Sequence, residues 1–210
     1  MRVFVVGSSP QFLKPDLYEP QPDDLVVAAD GGANLCTWWH WPVDAVVGDM
    51  DSIFADVRAQ LEARGVPFHI SPVEKDETDL ELALSLALAR GASEIIIAGT
   101  LGARLDHTLG ALALLVTLQE AGVPARIVDG SQTVWLVKDR LSVFGEVHDL
   151  LSLLPYGGDA QGVSVTGVYW PLNDADLPLG PSLAISNKMT ARRADISVQA
   201  GQLIAVHIRT

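Results

Sequence analysis

Five runs of consecutive apolar, largely β-branched residues punctuate the chain up to residue 130: VFVVG (3–7), LVVAAD (25–30), DAVVGD (44–49), EIIIAGT (94–100) and the weaker ARIVDG (125–130). Runs without a polar face predict strands buried on both sides, as in a parallel sheet. Helical patterns lie between them. TDLELALSLALARG (78–91) opens with Thr78 and Glu81 in capping-box spacing and stops at Gly91. DHTLGALALLVTLQEAG (106–122) reads the same way and stops at Gly122. Strand–helix alternation with short links predicts an α/β layered domain with a mainly parallel sheet.

The pattern changes near residues 122–132. From there TVWLVKDRLSVFG, LLSLLPYG, GVSVTGVYW, SLAISN, ADISVQ and GQLIAVHIR follow as short β-prone pieces separated by Gly, Pro, Asn and Asp. No long helical period survives, so an all-β, sandwich-like unit is expected. The division we expect is 1–128 for the α/β domain and 129–210 for the β domain.

Composition narrows the function classes. Of the 210 residues, 49% are hydrophobic, which supplies a substantial core. No apolar run reaches the roughly 18–20 residues of a bilayer span. The N-terminal MRVFVVGSSP has too short an apolar stretch for a signal peptide and reads as a first strand, which favours a cytoplasmic protein. The single cysteine, Cys36, excludes an intrachain disulfide and a multi-cysteine metal site. A net charge of −12 with scattered basic residues argues against nucleic acid as a partner. Acidity suits metal ions or a cationic substrate, although it also confers plain solubility.

Several apolar runs end in glycine and polar groups, and ligands of open α/β sheets sit at such carboxyl ends. AADGGAN gives Asp30, Gly31, Gly32 and Asn34; VVGDMDS gives Gly48, Asp49, Asp51 and Ser52; IAGTLGARLDH gives Gly99, Thr100, Gly102, Arg104, Asp106 and His107. If the chain stays extended, Asp49 and Asp51 project to one side, about 7 Å apart at Cα, a spacing able to flank hard cations. The competing reading is an Asx-turn after the strand. EKDETDLE adds Asp76 and Asp79 at a helix start, where an acid also favours the macrodipole. Magnesium takes oxygen ligands from a few carboxylates beside substrate phosphates, so these aspartates, the glycine turns and Arg104 suggest Mg²⁺–nucleotide binding. DGGAN alone is equally a tight turn, and His107 is equally a structural histidine. No P-loop, no GxGxxG after the first strand and no GxSxG elbow is present. TWWHW (37–41) reads as packing or an interface.

In order, ADGGAN, GDMDSI, KDETDLELAL and GARLDHTLGALALL, followed by TGVYWPL and SLAISN, resemble the successive motifs of the thiamine pyrophosphokinase family. The resemblance covers nearly the whole chain. It implies Mg²⁺-dependent transfer of a pyrophosphoryl group from ATP to the hydroxyl of thiamine, giving thiamine diphosphate and AMP. It also implies a homodimer with thiamine between subunits. By motif, Asp49, Asp51, Asp76 and Asp79 would handle Mg²⁺ and the triphosphate. Asp30, Gly31, Gly32, Asn34, Lys75, Thr100 and His107 would lie on the nucleotide side. Arg104 and Asp106 would border the phosphates and the reacting hydroxyl, and Asp51 or Asp106 would be its base. Trp170, Ser186 and Asn187 would sit near thiamine, whose cationic thiazolium an aromatic face attracts. Apart from the resemblance, Trp170 reads as a core indole of the β domain. Three positions depart from the family pattern: Met50 for a phenylalanine, Ala103 for a glycine, and Lys188 for an acid. Lys188 motivates a second reading, a pyrophosphokinase acting on another hydroxymethyl heterocycle such as a pterin; a third, an ATP–Mg²⁺ binding module without turnover, is opposed by the full set of four aspartates.

Overall fold

The computed structural model describes every residue except Phe12 and Ala103, so the Ala103 departure lies outside the described residues. The chain forms two compact units, Met1–Gly130 and Ser131–Thr210.

In the first unit the apolar runs become strands β1 (Arg2–Val6), β2 (Leu25–Ala29), β3 (Ala45–Gly48), β5 (Glu94–Ala98) and β6 (Ala125–Asp129). All pair in parallel, in the order β6-β5-β1-β2-β3-β4. The edge strand β4 (Phe68–Ile70) escapes the apolar pattern, because its three residues are only half-buried or exposed. Helices α1 (Gly32–Trp39), α2 (Ala55–Ala63), α3 (Asp79–Ala89) and α4 (Leu105–Glu120) link the strands. From β1 the chain moves outward through β2, β3 and β4, then returns to β5 on the other side of β1. Connections at β1 and β5 therefore leave in opposite directions and open a crevice beyond their carboxyl ends.

The Thr78 side chain caps α3 by accepting the Glu81 N–H at 3.2 Å. Helix α4 differs from expectation: it starts at Leu105, with Arg104 at its N-cap and no side-chain capping bond. The Asp106 carboxylate, available to cap, is instead taken by Arg104. Trp39 and Trp41 of TWWHW pack edge to face at 4.9 Å in the core of this unit. Among the described residues no helix is long and apolar enough to cross a membrane.

The second unit stacks two four-stranded layers. One orders β12 (Asn187–Lys188), β9 (Leu150–Pro155), β14 (Leu203–Ile208) and β7 (Gln132–Val137). The other orders β11 (Leu172–Leu177), β10 (Ala160–Thr166), β13 (Arg193–Ser197) and β8 (Arg140–Phe144). The pairings within each layer are antiparallel, and Leu151, Leu203, Met189, Val163 and Ile196 meet in one core. Two elements differ from the sequence pattern. SLAISN is mostly turn, broken by a left-handed Ser186 at φ 58°, and only Asn187 and Lys188 pair with β9. LNDADL, too polar to read as a strand, forms β11 at a sheet edge where its acids face water.

Candidate active site

At the carboxyl ends of β2 and β3 the backbone turns sharply, with Asp30 at φ 42° and Gly48 at φ 147°. Asp30 is buried; its Oδ2 accepts the Ser52 N–H at 2.9 Å, while its Oδ1 is buried without a partner. Burial pushes this carboxyl up from its ordinary value. A Cβ on Gly48 would lie 2.9 Å from both Asp30 Cβ and Asp79 Cγ, so glycine is what lets these side chains close in. One carboxylate oxygen each from Asp30, Asp49 and Asp79 lies within 4.8 Å of the other two. Lys75 offsets part of this charge, its Nζ donating to Asp79 Oδ1 at 2.6 Å and to the Ser71 hydroxyl at 2.9 Å. Three carboxylates against one ammonium leave an excess of negative charge around an unpartnered oxygen. That donor set fits a hard divalent cation.

The extended geometry expected for Asp49 and Asp51 is not what forms. Met50 sits at φ 68°, and the Asp51 N–H donates to Asp49 Oδ1 at 3.2 Å, which is the Asx-turn reading. The turn sends Asp49 to Asp30 and Asp79 and leaves Asp51 exposed. A 2.7 Å bond from the Ser52 hydroxyl holds the Asp51 carboxyl below the usual range. Asp76 is exposed, and no ion pair engages it among the described residues. Asn34 is spent on the same turn: its Nδ2 donates to Ser52 O and its Oδ1 accepts the Phe54 N–H, both at 2.9 Å. Gly31 is the N-cap of α1, and Gly32 packs the helix onto β1, since a Cβ there would lie 2.0 Å from Val6 O.

A cleft of about 770 Å³ opens at the fork between β1 and β5. Ser8 and Ser9 after β1, Thr100 after β5, Thr78 and Asp79 at the start of α3, and Arg104, Asp106 and His107 at the start of α4 all line it. Two helix N-termini at one cleft favour an anion there. Arg104 is exposed and chelates Asp106, Nη2 to Oδ2 at 2.5 Å and Nε to Oδ1 at 3.2 Å. This bond holds the Asp106 carboxyl at about 2. His107 is exposed on the same wall.

In the second unit Trp170 is 58% exposed, which overturns its reading as a core indole; it meets Tyr169 edge to face at 4.8 Å. Buried Asn187 fixes it, donating to Trp170 O at 2.8 Å and accepting the Trp170 N–H at 3.1 Å. The Ser186 N–H donates to the Ser152 hydroxyl at 3.0 Å. Lys188 is exposed and forms no ion pair among the described residues.

Sequence reasoning placed Asp30 with the nucleotide rather than with Asp49 and Asp79, and it passed over Ser9 and Asp129. Asp129 had a signal: IVDG ends β6 as AADG ends β2. Its carboxyl is buried, and burial raises it to about 6 from the ordinary 3.8. A folded value above the unfolded one stabilises at low pH, and this contribution is lost as pH rises through about 6. Asp129→Asn is therefore expected to be more stable than the parent at pH 8, by on the order of 2 kcal/mol. The advantage should shrink toward zero by pH 4, and melting temperatures of both proteins across that range measure it.

The fold and the site together define an α/β ligand-binding domain with an acidic triad and an anion-favouring cleft at its strand ends, followed by a β-sandwich. Residues 20–127 match the thiamin pyrophosphokinase catalytic domain, and residues 142–203 match the thiamin pyrophosphokinase vitamin B1 binding domain. The chain is 31% identical to a thiamine pyrophosphokinase of Bacillus subtilis, over 96% of each chain. It is 25% identical to thiamine pyrophosphokinase 1 of Oryza sativa subsp. japonica, over 88% of this chain and 79% of that one. The crystal structure of thiamine pyrophosphokinase from Bacillus subtilis superposes with a TM-score of 0.90 at 28% identity, covering 100% of both chains. That of thiamin pyrophosphokinase from Geobacillus thermodenitrificans gives 0.86 at 28% identity, covering 100% and 98%. The chain belongs to the thiamine pyrophosphokinase family.

Proposed function

We propose that this chain transfers a pyrophosphoryl group from ATP to the hydroxyl of thiamine, producing thiamine diphosphate and AMP with Mg²⁺ as cofactor. The observation that carries this reading is the Asp30–Asp49–Asp79 triad, with its unpartnered buried oxygen, joined through Asp79 to the cleft at the β1–β5 fork. In the reaction the thiamine hydroxyl oxygen bonds to the β-phosphorus of ATP. The bridge from that phosphorus to the α-phosphate oxygen breaks, AMP leaves with the electron pair, and the hydroxyl proton passes to a base. Such transfers need positioning and charge neutralisation rather than an enzyme nucleophile.

Asp30, Asp49 and Asp79 would hold the metal, with Asp51 beside them and Asp76 assigned by the family pattern. Bound there, Mg²⁺ supplies charge neutralisation for the triphosphate. Gly31, the Thr100 hydroxyl, Lys75 and His107 serve the nucleotide side, while Gly32 and Asn34 shape it through packing and through the 49–54 turn. Arg104 clamps phosphate oxygens when it exchanges Asp106 for them. Asp51, exposed and joined through its N–H to Asp49 of the acidic triad, is the base we favour. Asp51→Asn is expected to lower kcat by about 10²–10⁴-fold. The KM for ATP should change little and the melting temperature should hold; a parental kcat would remove Asp51 from this role.

Trp170 presents its exposed face to the thiazolium cation, and Asn187 and Ser186 set the position of that face. We place thiamine between two subunits of a homodimer, as the family pattern implies. An exposed Lys188 with no ion pair among the described residues favours a second reading, in which the acceptor is another hydroxymethyl heterocycle. Release of AMP from ATP–Mg²⁺, followed with thiamine and with a hydroxymethylpterin in parallel, separates the two. AMP release only with thiamine supports the first reading, and release only with the pterin replaces it. ATP binding without AMP release from either would leave a non-catalytic module.

A further inference from the structure

The segment from β5 to α4 meets the cleft through Gly99, Thr100, Leu101 and Gly102. Gly99 at φ 64° and Gly102 at φ 134° bracket it, so the backbone is permissive at both ends and its conformation must be imposed from outside. The imposing bonds fall on Leu101. Its N–H donates to Asp129 Oδ2 at 3.2 Å, and its carbonyl accepts from the Ser9 hydroxyl at 2.6 Å. Ser9 is anchored in turn, its N–H donating to Gly99 O at 2.9 Å. The loop is thus gripped from β6 on one side and from the end of β1 on the other.

Asp129 is a costly choice for this grip. It is 3% exposed, its Oδ1 is buried without a partner, and burial raises its carboxyl to about 6. A buried, half-satisfied carboxyl does not serve stability. What it does serve is the Leu101 amide, one residue from Thr100 on the cleft wall. We infer that Asp129 is a positioning residue for nucleotide binding, which acts through the Leu101 N–H to hold the Gly99–Gly102 loop in the shape that receives the triphosphate. This rests on the cleft being the ATP site. Asp129 does not line the cleft; it works through the backbone it holds, and Ser9 fixes the other side of the same residue.

The test uses the full chain as Asp129→Ala, Asp129→Asn and Ser9→Ala, with two readouts. The first is amide hydrogen exchange across residues 99–102 without ligand; the second is ATP–Mg²⁺ binding by calorimetry, with KM and kcat alongside. Asp129→Ala should speed exchange at Leu101 and weaken ATP binding, each by about tenfold, the scale of one hydrogen bond to a charged acceptor. KM for ATP should rise with it while KM for thiamine holds. Asp129→Asn keeps a carbonyl oxygen for the Leu101 N–H and should restore both readouts. Ser9→Ala should loosen the same amides with Asp129 intact, which keeps the test decisive if Asp129→Ala does not fold. Parental exchange and parental ATP affinity in Asp129→Ala overturn the inference, as does an Asp129→Asn protein as impaired as Asp129→Ala. Failure of the unsubstituted protein to bind ATP has a different signature: it overturns the nucleotide assignment and this role with it.

Discussion

Asparagine in place of Asp49 is expected to lower kcat by more than about a thousandfold while raising the melting temperature of the metal-free protein. The two effects have one cause. Asp49 contributes an oxygen within 4.8 Å of oxygens from Asp30 and Asp79. Like charges at that separation repel by roughly 3 kcal/mol at an effective dielectric of 20, and the Lys75 ammonium on Asp79 offsets part of it. Removing one charge should stabilise the metal-free fold by about 1–2 kcal/mol, or roughly 2–8 °C. The Asx-turn survives, because the asparagine carbonyl still accepts the Asp51 N–H. What is lost is the anionic donor set a divalent cation requires, and with it several kcal/mol of transition-state stabilisation. Addition of Mg²⁺ should raise the melting temperature of the parent and leave the variant unmoved. A variant that melts lower than the parent without metal, or that turns over within tenfold of it, would show that these carboxylates are not a metal site.

Gly32→Ala should be the most damaging conservative change in the nucleotide motif, and the damage should be to folding. An alanine Cβ there would lie 2.0 Å from Val6 O, 2.8 Å from Val6 C and 2.9 Å from Gly7 O. These are backbone atoms at the end of β1, next to β5 and β2 in the sheet, and cannot rotate aside. Either α1 lifts from the sheet or β1 shifts, at about 4 kcal/mol or more. The melting temperature should fall by at least about 8 °C. Gly110→Ala is the internal control. Gly110 lies inside α4 with nothing within 4 Å of its would-be Cβ, so alanine should stabilise by up to about 1 kcal/mol. Equal melting temperatures for the two variants would contradict the packing role assigned to Gly32.

Most of the catalytic fold was legible because its central strands are buried on both faces. VFVVG, LVVAAD, DAVVGD and EIIIAGT could hardly be anything else, and Thr78 with Glu81 announced the start of α3. Edge elements were not legible, for the reason that makes them edges: Phe68–Ile70 and Leu172–Leu177 bury too little to show a pattern. The site was half-legible. Asp49 and Asp79 could be picked out from motifs, but their company depends on backbone turns. A left-handed Met50 divides Asp49 from Asp51, and a left-handed Asp30 delivers a third carboxylate that the motif placed with the nucleotide. The role of Asn34 was hidden too, since a side chain that holds a turn and one that holds a ligand look alike in sequence. Trp170 shows the limit on the other side: exposure, not residue type, separates an aromatic platform from a core indole.

The central claim is attack on the β-phosphorus of ATP by the hydroxyl of thiamine, and phosphorus NMR of the reaction mixture reads it directly. With ATP, Mg²⁺ and thiamine the account predicts AMP and thiamine diphosphate growing in equal amounts, with no ADP and no product without thiamine. ADP growing with thiamine monophosphate, or a spectrum of ATP unchanged by thiamine at saturating concentrations, would contradict it.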